Sequence, residues 1–190
     1  LGISILLLEQ VIANGPISYL LGSWAAPWGI EYKVDMLSAF VMLIVTSVGS
    51  ISMIFAPNSV NSEIPGDRIY LFYTMYLLTF AGLLGITITG DAFNLFVFLE
   101  ISSLSSYVLI SLGAERNALT AAFRYLILGT VGATFYIIGV GLMYQMTGTL
   151  NMTDLAMRLP AVAETRTILV ALGFVTVGIG LKLGLFPVHV

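Results

Sequence analysis

Met36–Ala56 is a run of 21 residues without a single charge. This run constrains the chain more than any other feature, because about 20 apolar residues in a helix match the ~30 Å hydrocarbon core of a bilayer. Four comparable stretches follow. Ile69–Gly90 has no charge, Ala92–Ala114 has only Glu100, Asn117–Thr147 has only Arg124, and Thr167–Val190 has only Lys182. The expected architecture is therefore all-α and transmembrane, a polytopic bundle with spans over 36–56, 69–90, 92–114, 117–147 and 167–190.

Composition agrees. Hydrophobic residues make up 58% and charged residues 9%, with a mean hydropathy of +1.02, whereas a soluble domain is about one quarter charged. Disordered, collagenous and coiled-coil classes are excluded. A nucleic-acid partner is excluded too, because no basic patch exists to meet phosphates. The net charge of −3 points to no partner. Without cysteine there is no disulfide framework, thiolate metal site or iron–sulfur ligation. The single histidine, His189, argues against a His-ligated haem or copper. No metal and no cofactor is expected.

The connections read as short. Leu1–Leu8 is apolar but too short to span, as at the end of a helix that starts upstream. Glu9–Asp35 contains Asn14-Gly15-Pro16, Gly22, Pro27 and Gly29 and reads as turn-rich and non-helical. Trp24, Trp28 and Tyr32 within it suit an aromatic belt at the membrane–water boundary. Pro57–Arg68 reads as a polar loop, and Gly90-Asp91 and Gly113–Arg116 as tight turns. Gly148–Arg166 has room for a short interfacial helix capped by Thr153, with Leu155 and Leu159 on one face. Asp35 is placed as a helix-start acid and Asp91 as a solvated helix cap. Lys33, Arg158 and Arg166 fall at one end of the bundle and Arg68, Arg116 and Arg124 at the other, so basic residues do not fix the orientation. The apolar final residues fit an interior piece of a larger membrane protein, with residues 1–190 as one incomplete transmembrane domain.

Glu100 and Lys182 carry the chemistry. Glu100 lies about 10 Å inside its span by helical rise, where an ionised carboxylate costs at least about 2.5 kcal/mol. Such an acid is neutral part of the time or paired, and both states suit a proton carrier. Ser103 and Tyr107 fall on its helix face. Lys182 lies in a segment with Gly173, Gly178, Gly180, Gly184 and Pro187, where a loosened helix is tolerated only if protein or water satisfies its backbone. The bland readings are a structural carboxylate and a snorkelling lysine. Together, an acid and a base on separate helices form a switchable pair that titrates jointly. Arg124 could pair with Glu100, line an access path or mark the headgroup level, and His189 could relay protons near Lys182. Pairs such as Ala81/Gly85, Ser102/Ser106, Gly129/Ala133 and Gly180/Gly184 permit close helix packing without specifying a function.

The segment Asp91-Ala92-Phe93-Asn94-Leu95-Phe96-Val97-Phe98-Leu99-Glu100-Ile101-Ser102-Ser103-Leu104-Ser105-Ser106-Tyr107 resembles the fifth helix of the antiporter-like subunits of respiratory complex I and of Mrp-type Na+/H+ antiporters. Phe123–Gly129 resembles the start of their sixth helix, and Gly148-Thr149-Leu150 its exit. Gly180–His189 is similar to their broken seventh helix. Gly15–Tyr19, with Trp24, Pro27, Trp28, Gly29, Ile30 and Asp35, looks like their outer hairpin and leans toward the D-type member of the Mrp antiporters. The resemblance covers nearly the whole chain. It implies the N-terminal part of a bundle of about fourteen helices built from two inverted repeats, with a helix broken at Lys182. It makes Glu100 the helix-five glutamate and Lys182 the helix-seven lysine, and places Arg124 where the family usually has a basic residue. The second repeat is absent from this sequence.

The resulting expectation is proton or cation/H+ translocation by an antiporter-like subunit of a multi-subunit complex in a prokaryotic cytoplasmic membrane. Its partners would be other membrane subunits, the lipid bilayer and H+, with Na+ left open as a second cargo. The chain itself breaks no covalent bond, although an NADH-quinone oxidoreductase-type translocase is among the possible parents. The rivals are a structural membrane subunit without its own ion path and a small-solute carrier. The scarcity of central polar residues argues against the carrier.

Overall fold

A computed structural model describes residues 1–113 and 116–185. The chain forms α1 (Gly2–Asn14), a hairpin of β1 (Ile17–Leu20) and β2 (Glu31–Val34), and then α2 (Met36–Glu63), α3 (Ile69–Ile88), α4 (Ala92–Ser111), α5 (Arg116–Thr147), α6 (Met152–Val162) and α7 (Arg166–Leu183). Five of these, α2–α5 and α7, are long and apolar enough to cross a membrane. Their outer surfaces are apolar, with Ile54, Phe123 and Leu169 among the exposed side chains. This is the expected arrangement for helices solvated by lipid, and the chain is an integral membrane protein.

Several boundaries differ from the sequence reading. Glu9–Asn14 is helical, because the turn residues that follow end α1 only at Gly15, whose φ is +84°. Pro57–Glu63 is not a loop: α2 runs through Pro57 to Glu63. The lost amide leaves one carbonyl of the preceding turn without its helical donor, and burial of Ala56 and Val60 holds the turn together. Strands β1 and β2 pair antiparallel with Ile17 opposite Val34 and Leu20 opposite Glu31, where the sequence reading gave only turns. Trp24 and Trp28 are exposed, whereas Tyr32 is half-buried with its ring centroid 6.3 Å from that of Phe98. Helix α4 stops at Ser111 and α7 at Leu183, and residues 186–190 lie outside the described residues.

Two apolar clusters hold the bundle. Val11, Val34, Ala39 and Met42 join α1, β2 and α2, with Leu84 and Ile88 packed against them. Ala92, Tyr136, Val140, Met143, Leu155, Ile168 and Ala171 join α4, α5, α6 and α7, and the Tyr136 hydroxyl donates to the Ala92 carbonyl at 3.1 Å. Helices α5 and α7 run antiparallel in close contact. A Cβ at Gly178 would lie 2.6 Å from the Tyr136 amide nitrogen and 2.7 Å from the Gly132 carbonyl oxygen, so only glycine admits this approach.

A polar knot closes one end of the bundle. The Gly90 amide donates to the Glu31 carbonyl (2.8 Å), the Ala92 amide to the Leu150 carbonyl (2.9 Å) and the Met152 amide to the Gly90 carbonyl (2.8 Å). The turn expected at Gly90-Asp91 is therefore an extended crossing, and Asp91 bridges Asn151. The Glu31 carboxylate accepts from Ser18 Oγ (2.6 Å) and Asn151 Nδ2 (2.8 Å). Asn151, not Thr153, caps α6: its Oδ1 accepts from the amides of Thr153 (3.0 Å) and Asp154 (3.1 Å). It precedes the first helical residue in extended backbone, which is the geometry a cap requires. Leu155 is buried and Leu159 packs beside it, as expected for the inner face of α6. Asp35 caps α2 by accepting from the Ser38 amide (2.8 Å). Asp91 caps α4 through the Asn94 amide (2.7 Å), but it is buried rather than solvated.

The hydrogen bonds from Ser18 and Asn151 hold the Glu31 carboxyl below its ordinary value of 4.5. A depressed acid stabilises the fold above its unfolded value, and that contribution is lost as pH falls through the folded value. Burial shifts the Asp91 carboxyl upward, so its contribution has the opposite sign. Amide exchange in β1 and β2 of the full-length protein, taken relative to the intrinsic rate at each pH, is therefore expected to accelerate below pH 4.5. Asn151→Ala should accelerate it at neutral pH. A hairpin equally protected at both pH values would remove the role given to Glu31.

Candidate functional site

Helix α4 places Glu100 by simple counting. It begins at Ala92 behind the Asp91 cap, so Glu100 lies about 12 Å along a helix of about 30 Å. Helix α7 approaches along α5. The contact of Gly178 with Gly132 and Tyr136 sets its depth, so its end lies level with the middle of α5. There the helix stops. Gly184 is in the left-handed conformation (φ +62°, ψ +38°), its amide bonds back into the last turn, and the Leu185 amide donates to the Gly180 carbonyl at 3.0 Å. Lys182 occupies that last turn, where the negative end of the helix dipole favours a cation.

The two side chains meet. Lys182 Nζ donates to Glu100 Oε1 at 3.0 Å and to Ser103 Oγ at 2.8 Å. The Lys182 and Glu100 side chains are 12% and 21% exposed, so the charges lie inside the bundle, where a lone ion is costly. Neighbouring hydroxyls behave differently from Ser103. Ser102, Ser105, Ser106 and Ser111 each donate to a carbonyl three or four residues back on α4. Ser103 Oγ instead accepts from the lysine. A cavity of about 90 Å³ lined by Phe96, Leu99, Ala133, Tyr136 and the Lys182 stem adjoins the pair. A carboxylate, an ammonium and a hydroxyl in one contact can hold a proton or exchange it. Among the described residues no group of acidic or histidine side chains is placed to hold a metal ion.

The other candidates stand apart. Arg124 does not pair with Glu100, because Lys182 holds that place. It is exposed on α5, beside Tyr125, Thr120 and Asn117 at an open recess of about 500 Å³. His189 lies outside the described residues. Sequence reading missed the Glu31–Asn151–Ser18 contacts at the knot. The alternation of Ile17–Leu20 and Glu31–Val34 about a glycine-containing connection was the available signal.

The family described as NADH:quinone oxidoreductase/Mrp antiporter, transmembrane, matches residues 89–190, a stretch that contains both Glu100 and Lys182. The chain belongs to this family. It is 43% identical over 186 residues to the N subunit of NADH-quinone oxidoreductase from Desulforudis audaxviator, covering 98% of this chain and 37% of that protein. It is 35% identical over 187 residues to the D-type protein of the Na(+)/H(+) antiporter from Alkalihalophilus pseudofirmus, again covering 98% and 37%. Its fold superposes with a TM-score of 0.89 on a chain of the membrane-bound sulfane sulfur reductase, an archaeal respiratory membrane complex. That match is 33% identical and covers 99% of this chain and 38% of that one. The sequence thus spans a little over a third of the length of the relatives it matches.

Glu100→Gln and Lys182→Met should each lower the thermal stability of the full-length protein in detergent, since each strands a charge or polar group. The double variant should lose less than the sum, with a coupling of about 0.5–3 kcal/mol. Strictly additive losses would mean that the two side chains do not interact in the folded protein.

Proposed function

We propose that this chain carries one proton-translocating half-path of an antiporter-like membrane subunit, and that Glu100 and Lys182 form its switchable pair. The 3.0 Å contact between an acid on α4 and a base at the interrupted end of α7, inside the membrane span, carries the reading. The ammonium lies against Glu100 Oε1 and occupies it, and when the ammonium moves off that oxygen is open to a proton. Lys182 has the means to move: its stem is flexible, it borders a cavity, and it sits at the negative end of the α7 dipole.

The parent protein would sit with other membrane subunits in a prokaryotic cytoplasmic membrane. The named relatives support this: one is an oxidoreductase subunit, one an antiporter subunit, and one solved chain belongs to a respiratory membrane complex. The moved ion is H+, with Na+ as the coupled cation if the parent is of the antiporter type. Arg124, at its open recess on α5, is assigned a secondary role near the access side.

The test is proton uptake by the intact parent complex in proteoliposomes. Glu100→Gln, in amounts of assembled complex equal to wild type, is expected to lower uptake about a hundredfold or more, within the range of about 10²–10⁴ typical of a lost acid–base group. Wild-type uptake by an assembled Glu100→Gln complex would leave Glu100 as structural glue. Poor assembly with normal uptake per complex would favour the purely structural subunit.

A further inference from the structure

Tyr107 is 5% exposed, and its hydroxyl, beside Ser103, makes no hydrogen bond of good geometry among the described residues. Buried hydroxyls are rarely left in that state, because an unmade hydrogen bond costs about 1–3 kcal/mol. The surroundings are shaped to admit this one. A Cβ at Gly129 on α5 would overlap the Tyr107 hydroxyl oxygen and come within 2.8 Å of Cζ. The ring is held edge-on by Tyr125, with centroids 4.8 Å apart. The chain thus places a glycine opposite a phenol oxygen that bonds to nothing among the described residues.

The position of the hydroxyl gives it a use. Ser103 lies one turn before Tyr107 on the same face of α4, and Ser103 Oγ accepts from Lys182 at 2.8 Å. Ser103 commits no proton to a helix carbonyl, unlike the serines around it. On the far side of Tyr107, a groove of about 360 Å³ opens between α4 and α5, lined by Leu104, Tyr107, Ser111, Leu119 and Phe123 among others. It lies toward the end of the bundle that holds Gly113 and Asn117, opposite the polar knot. Glu100, Ser103, Tyr107 and Ser111 therefore form one line of oxygen atoms along α4, from the ion pair toward that end.

We infer that the Tyr107 hydroxyl, admitted by Gly129, is the proton-conducting link between the Glu100–Lys182 pair and the bundle end marked by Ser111 and Asn117. In one passage the phenol oxygen takes a proton from a hydronium ion arriving from the end of α4 at Ser111, which is left as water, and releases its own toward Ser103. Ser103 passes its hydroxyl proton to the pair, and each hydroxyl ends the passage protonated as it began. No bond other than O–H or N–H forms or breaks. This inference deepens the proposed function and rests on it.

The experiment is proton uptake by the intact parent complex in proteoliposomes, comparing wild type, Glu100→Gln, Tyr107→Phe and Tyr107→Leu at equal assembly. Thermal stability is read alongside. Tyr107→Phe keeps the ring and removes only an unpaired hydroxyl, so stability should stay level or rise while uptake falls about tenfold or more. Tyr107→Leu should be slowed no less. Tyr107→Phe at wild-type uptake beside a slow Glu100→Gln would overturn this inference and leave the pair intact. Wild-type uptake by Glu100→Gln would overturn the underlying function instead. A Tyr107→Phe variant less stable than wild type would assign the hydroxyl a structural partner and also overturn the inference. The geometry has its own check: Gly129→Ala should destabilise the protein, and Tyr107→Phe in the same chain should restore part of the loss.

Discussion

An ammonium group inside a bilayer must be answered by the protein around it, and most of this structure can be traced to how Lys182 is answered. The cost of an unpaired charge there is several kcal/mol, more than any single packing contact returns. Three features meet that cost together. Glu100 supplies the countercharge and Ser103 a second acceptor. The end of α7 supplies the negative end of a helix dipole. None of the three works unless α7 stops at the depth of the middle of α4. That depth is set by the glycine contact between α7 and α5, so a packing decision at Gly178 fixes an electrostatic one at Lys182.

The same economy explains why the helix interruption is tolerated. Carbonyls at a helix end inside a membrane lack both water and the next turn. Here the amides of Gly184 and Leu185 turn back onto the last turn, and the lysine brings positive charge to what remains. The region matched by the family, residues 89–190, includes α4 through α7 and so holds the whole of this arrangement. Helices α1–α3 and the hairpin support it: Gly82 and Gly85 on α3 admit Ser102 and Phe98 of α4 at close range.

Much of this was legible in the sequence. Five spans, the isolated Glu100 and Lys182, and the glycine-rich approach to Lys182 all follow from hydropathy and from the expense of charge in lipid. Boundaries were less legible where tertiary contact decides them. Pro57 argues locally for a helix end, yet burial of Val60 carries α2 on to Glu63. Thr153 looks like a cap until the bridge between Asp91 and Asn151 fixes where α6 must start. Glu100 and Lys182 could be seen as a pair in principle, but Arg124 was also a claimant. Only the depth of α7, set by backbone contact between Gly178 and the distant Gly132, selects the lysine. The unpaired hydroxyl of Tyr107 was invisible for the same reason, since Gly129 reads as one more small residue in a membrane helix.

The polar knot fastens one end of the bundle. Glu31, Gly90, Asn151 and Met152 tie the hairpin, the α3–α4 crossing and the start of α6 into one rigid plate, and Ile168 anchors the start of α7 against it. Helix α7 does not swing alone, because Gly178 lies against Gly132 and Tyr136 of α5 near its far end. From Ile168 to Lys182 is about 21 Å by helical rise, so a tilt of about 5° of the α5–α7 pair about the plate displaces the ammonium by about 2 Å. A salt bridge is broken by no more than that. The two helices thus form one lever, with the plate as its fulcrum and the ammonium near the end of its arm.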